Sequence, residues 1–98
     1  MFGMEMIDNY DSRKIGRFEE GNVFVSTVRV TDSLEPFETA VRHPKYNNNM
    51  LVIVEMYESA EEATAGHERW IAVMTADTIP AELKDVSTSE IKRYQTCK

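Results

Sequence analysis

The side chains with chemistry in reserve are few: two histidines, one cysteine and a scatter of carboxylates. His43 opens the run His43-Pro44-Lys45-Tyr46-Asn47-Asn48-Asn49, which puts an imidazole, an ammonium, a phenol and three amides into seven residues. Such a loop can recognise a small anion or a protein; its polar residues are equally explained as a hairpin turn facing water. His67 stands in the middle of a helical apolar stripe beside Trp70. It reads either as a neutral core histidine with its ring nitrogens satisfied, or as a site residue with a shifted pKa facing a cleft. His43, Lys45, Tyr46, Asn47 and His67 are therefore the candidates for a ligand or partner site.

No catalytic residue is assigned. The glycines at 3, 16, 21 and 66 make no phosphate-cradling loop, and the serines lack the strand-to-helix elbow of a nucleophile. Cys97, next to the C-terminus, has no histidine near it in sequence. A metal would have to be assembled from His43, His67 and carboxylates such as Glu55 or Glu58, and neither histidine has a recognised ligand spacing. No metal and no cofactor are expected.

The elements that must position these residues start with Ser59–Thr75. Ser59-Ala60-Glu61-Glu62 has the pattern of a capping box, and its glutamates lie where the helix dipole favours negative charge. Ala60, Ala63, His67, Trp70, Ile71 and Met74 recur at spacings of three and four, whereas Glu61, Ala65, Glu68 and Ala72 take the other side. Trp70 is read as a core anchor.

Two hairpins precede this helix. Lys14–Phe18 and Val23–Val30 flank a turn in which Gly21-Asn22 supplies positive φ. Phe37–His43 and Met50–Tyr57 flank the histidine loop, whose three asparagines tolerate left-handed backbone. With a four-residue loop, Tyr46 to Asn49, Val41 faces Val54, His43 faces Val52 and Thr39 faces Met56, so that one side receives the helix and His43 shares its layer with His67. The opposite side then holds Val23, Val25, Leu51 and Ile53 beside Arg29, Arg42 and Glu55, which is too apolar for a solvent face. Val23, Val25, Arg29, Leu51 and Ile53 are accordingly the candidates for an oligomer or partner face.

The ends read differently. Residues 1–12 form an irregular N-terminal arm, with a short strand expected at Glu5–Ile7. After the helix, Ala76–Leu83 suggests a turn into a short helical piece. Ser87-Thr88-Ser89-Glu90 repeats the capping-box pattern and predicts a helical tail over 87–98. The expected architecture is one α+β domain over 1–98: an antiparallel sheet of about four strands in two hairpins, one main amphipathic helix on a face, and a short C-terminal helix.

Composition narrows the classes further. Seventeen acidic residues against eleven basic ones give a net charge of −6, which opposes a phosphate-tracking surface, so no nucleic acid is expected. There is no long apolar run for a membrane span and no signal-peptide pattern, and a single cysteine excludes an intramolecular disulfide. These point to a cytoplasmic protein.

The run FETAVRHPKYNNNMLVIVEMYESAEEATAGHERWIAVMT followed by IPAELKDV, about Phe37 to Val86, resembles short uncharacterised proteins of tailed-phage and prophage type. They share a strand, a His-Pro turn, a second strand ending in an acidic-aromatic step, and a helix with a Gly-His pair and a tryptophan. What the resemblance implies is origin, hence the host cell cytoplasm, and no activity. The function expected is a non-catalytic phage-type protein working through protein–protein contacts or self-assembly, as a homo-oligomer or with a protein partner. The alternatives are an acidic inhibitor of a host defence enzyme, binding a basic cleft by charge, and a small-ligand or enzymatic module built on the His43 loop and His67.

Overall fold

In the computed structural model, residues 14–30 and 34–96 are described, so the expected arm over 1–12 and its strand at Glu5–Ile7 lie outside the described residues. Four strands follow one another as an antiparallel meander: β1 (Lys14–Glu20), β2 (Val23–Arg29), β3 (Phe37–Arg42) and β4 (Val52–Tyr57), hydrogen-bonded in chain order. Helix α1 (Ala60–Met74) crosses one face, and a second, two-stranded sheet of β5 (Glu82–Asp85) and β6 (Lys92–Gln95) follows it. This is an α+β fold.

The turns form for the expected reasons. Gly21 takes φ +61°, which allows the two-residue turn between β1 and β2. Asn47, Asn48 and Asn49 all have positive φ, at 50°, 52° and 64°, and wind a single left-handed turn between β3 and β4. Asparagine enters this region more readily than residues with larger side chains.

The register of β3 and β4 differs from the expected one. Val41 pairs with Val52 and Ala40 with Ile53, but Thr39 pairs with Glu55, so Val54 is an extra residue in a bulge. A bulge changes which residues point to which face. Val52 and Val54 are buried before it and Tyr57 after it, and Glu55 joins them on the helix side instead of the opposite face. His43 has no strand partner, because β3 ends at Arg42.

Helix α1 starts as its sequence dictates. The Glu62 N–H donates to Ser59 Oγ (3.1 Å), while the Glu62 carboxylate accepts from the Glu58 N–H (3.2 Å), one residue before the usual capping-box partner. Ala63, Gly66, His67 and Met74 are buried along it, and Trp70 and Ile71 are half-buried. They lie on a core of Val25, Val41, Val52, Val54 and Leu83, which Phe18 and Val23 border. Val25, expected on an exposed face, is fully buried beneath the helix, and Val23 belongs to the same side. Strand alternation makes this unavoidable: Val25 is flanked by Val41 on β3 and shares its parity with buried Thr27. Arg29 has that parity too, but it ends β2 exposed. The face away from the helix is instead Phe24, Val28, Ala40, Ile53 and Met56, with Leu51 exposed just before β4.

The C-terminal helix is not present. Glu82–Asp85 and Lys92–Gln95 pair as an antiparallel hairpin, and the residues of the expected capping box become its connection. Both the backbone N–H and the hydroxyl of Ser87 donate to Asp85 Oδ1, at 2.9 and 2.6 Å, so the serine is engaged backwards rather than capping forwards. Leu83 enters the core, and Tyr46 reaches across to donate its hydroxyl to the Pro80 carbonyl. The Val86 N–H also donates to the Ile53 carbonyl (2.8 Å) beside the bulge, which ties the small sheet to the open edge of β4.

Candidate functional site

Beneath α1 the apolar core gives way to a row of polar side chains that cross the sheet. Thr27 on β2 and Thr39 on β3 are directly paired and fully buried, and their hydroxyls lie 2.5 Å apart. His67, only 6% exposed, comes down from the helix and places Nδ1 2.8 Å from Thr27 Oγ1. On the other side Thr39 Oγ1 lies 2.9 Å from the Tyr57 hydroxyl, which donates to Glu55 Oε1 at 3.3 Å. The same carboxylate oxygen takes the Trp70 indole N–H (2.9 Å) and the Arg69 guanidinium. A continuous chain therefore runs from His67 through two threonines and a tyrosine to Glu55.

Two glycines make the room. A Cβ on Gly16 of β1 would lie 2.6 Å from His67 Nε2, so the imidazole can lie against β1 only because that position has no side chain. A Cβ on Gly66 would collide with the Tyr57 hydroxyl, so the phenol reaches under the helix only where the helix has none. Glycine in a helix interior costs about 1 kcal/mol relative to alanine, and here the close approach explains its presence.

Burial governs the protonation of the chain. It holds the His67 imidazole below its ordinary pKa of 6.5, opposed in part by Glu68. It likewise pushes the Tyr57 phenol upward, with Thr39 opposing and Glu55 adding to the rise. The chain thus consists of a neutral imidazole, two alcohols, a protonated phenol and a carboxylate. No buried side-chain nitrogen or oxygen among the described residues lacks a partner, so the groups of the chain satisfy one another's hydrogen bonds.

The Tyr57 end opens into a cleft of about 500 Å³ lined by Glu35, Glu55, Tyr57, Glu58, Glu62 and Arg69. A smaller, more apolar hollow of about 250 Å³ lies between the helix and the β5–β6 hairpin, bounded by Val54, Trp70, Pro80, Leu83 and Val86.

The residues singled out from the sequence do not assemble. His43 sits in the loop beyond β3, with its Nδ1 accepting from the Lys45 N–H (3.1 Å) and its ring edge-on to Tyr46 at 5.4 Å. Burial, and then Lys45, lowers its pKa. Thr39, the strand partner of the Thr27 that holds His67, is four residues of extended chain away, about 13 Å, so the two histidines share no site. Tyr46 is fully buried and serves as a strut to Pro80, which removes it from a recognition surface, while Lys45 is exposed and Asn47 half-buried. Of the ligand- or partner-site candidates only His67 belongs to the chain, together with Glu55, which the sequence offered only as a possible metal ligand. Nothing in the sequence marks Thr27, Thr39 and Tyr57 for this chain, because a buried threonine in a β-branched strand looks like any strand residue; the Gly66-His67 pair inside a good helix is the available signal.

Among the described residues, no three histidine, cysteine, aspartate or glutamate side chains are grouped to hold a metal ion. Nor is any helix long and apolar enough to cross a membrane. The class defined by this geometry is a two-layer α+β protein with a buried polar chain. No family model matches the sequence, and no curated protein or solved structure matches it significantly.

Proposed function

We propose that the chain is a non-catalytic, phage-type binding protein of the host-cell cytoplasm that works by protein–protein contact, pairing with a second copy of itself through the sheet face turned away from the helix. One observation carries this reading. That face presents Phe24, Val28, Ala40, Ile53 and Met56, bracketed by both signs of charge: Arg17 and Arg42 flank the Phe24 ring at 5.2 and 4.8 Å, with Glu19 beside them, and Glu38 lies at the other end between Val28 and Met56. Apolar residues interleaved with charges of both signs suit a two-fold contact, in which the arginines of one copy meet the glutamates of the other. The phage origin rests on the resemblance over Phe37 to Val86.

Sedimentation velocity over a concentration series tests the proposal. A dimer is expected, and Ile53→Lys, which puts a charge among the apolar residues of the face without touching the helix side, is expected to return it to monomer while circular dichroism is unchanged. A strict monomer at the highest concentration removes the reading.

A second reading is favoured by the cleft at the start of α1, where Glu35, Glu58 and Glu62 surround a single Arg69 and Glu61 lies on the adjacent helix surface. Such a surface suits a basic protein, such as a host defence enzyme, by charge complementarity. Affinity for such a partner should fall steeply with salt and on reversing Glu61 and Glu68; indifference to both excludes this version.

A further inference from the structure

The hydrogen bonds of the buried chain have a direction, and Glu55 sets it. A carboxylate only accepts, so the Tyr57 hydroxyl must donate to Glu55 Oε1. With its proton spent, the Tyr57 oxygen accepts from Thr39, whose own oxygen must then accept from Thr27. Thr27 is left to accept from His67, which requires the proton of the neutral imidazole to be on Nδ1. In this sense all four links hold one proton each. In the opposite sense Tyr57 donates to Thr39, Thr39 to Thr27 and Thr27 to Nδ1, which leaves the phenol oxygen facing the carboxylate with no proton between them.

We propose that Thr27, Thr39 and Tyr57 form a polarised wire through which the Glu55 carboxylate, at the mouth of the cleft, fixes the tautomer of His67 at the β1 end of the same sheet face. The wire has two polarities. Where the carboxylate is lost, both senses fill three links, and the better donor and the better acceptor decide between them. A phenol donates more strongly than an alcohol, and a neutral imidazole nitrogen accepts more strongly than a hydroxyl, so the chain reverses and the proton of His67 moves to Nε2. Each hydroxyl keeps its own proton and only rotates; the imidazole gives its Nδ1 proton to water and takes one back at Nε2, next to Gly16. An event at Glu55 in the cleft is thereby registered beside β1, three strands away.

The test is the tautomer of His67, read from long-range proton–nitrogen NMR correlations of the imidazole at mildly alkaline pH, with His43→Gln used to assign the two rings. The Nδ1–H form is expected in the native chain, and the Nε2–H form in Glu55→Ala. Thr39→Val cuts the wire in the middle at nearly constant shape, freeing Thr27 to donate to Nδ1. It should give the Nε2–H form by itself, and adding Glu55→Ala should change nothing more. An Nε2–H form in the native chain overturns the proposal without any variant. Retention of Nδ1–H in Glu55→Ala overturns it as well. So does a Thr39→Val chain that keeps Nδ1–H until Glu55 is removed, because the carboxylate would then be acting through space.

Discussion

Single atoms decide much of this molecule, and Gly66 is the clearest case. Alanine in a helix interior gains about 1 kcal/mol over glycine, yet its Cβ would run into the Tyr57 ring and hydroxyl, and overpacking of a filled core costs about 1–3 kcal/mol. Gly66→Ala is therefore expected to lower stability in chemical denaturation despite its better propensity, as is Gly16→Ala against the His67 ring. His67 also imposes a pH dependence. Its folded pKa lies below the unfolded value of 6.5, so the unfolded chain binds the proton more readily. Its contribution is constant above pH 6.5, and stability falls as pH drops through 6.5 until the lower folded value is passed. His43, also lowered, acts in the same direction, so the decline should be read in a His43→Gln chain, where a flat profile would contradict the buried, neutral imidazole. Glu38 has the opposite sign. Burial first, and then Asp85, raises its pKa above 4.5, so its charged form is the one that costs. Glu38→Gln should stabilise the fold at neutral pH, with the gain fading as the pH falls through the raised value.

Among the elements, the bulge in β4 has the widest consequences. Were Val54 paired regularly instead of bulged, the strict alternation of the strand would turn Glu55 away from the helix, and the polar chain would have no end point. The regular parts were legible: the Ser59 cap, the stripe of α1 and the Gly21 turn follow from local chemistry that neighbouring residues supply by themselves. Ser59→Ala should accordingly lose about 1 kcal/mol. At Asn48, held at φ +52°, replacement by alanine should cost about 1–2 kcal/mol; a glycine there should cost much less, and equal effects of the two would exclude backbone strain as the cause. The C-terminal hairpin was not legible, because Ser87-Thr88-Ser89-Glu90 carries a sound helix-start pattern. Its outcome turned on Leu83 reaching the core and on the Ile53 carbonyl taking the Val86 N–H, both contacts distant in sequence.

At the scale of the whole molecule, one helix on a four-stranded sheet leaves the other face to be covered or wetted, and the proposed pairing of copies belongs here. The salt bridges on that face, Glu19 with Arg17 and with Arg42 at 3.3 and 3.6 Å, are exposed and contribute little to the monomer. Arg42→Glu is therefore expected to leave the monomer's melting temperature nearly unchanged while weakening the dimer in sedimentation, which a purely intramolecular role would not do. The sequence by itself determined the class of fold, the helix with its cap and the two turns that precede it, since each depends on residues within one or two turns of backbone. Only the tertiary structure decided that Val25 lies inside, that His43 and His67 are apart, and that two threonines, a tyrosine and a glutamate join His67 in one line. The physical reason is that strand parity is reset by a single inserted residue, and that hydrogen-bond partners are chosen by proximity across strands, which no local pattern encodes.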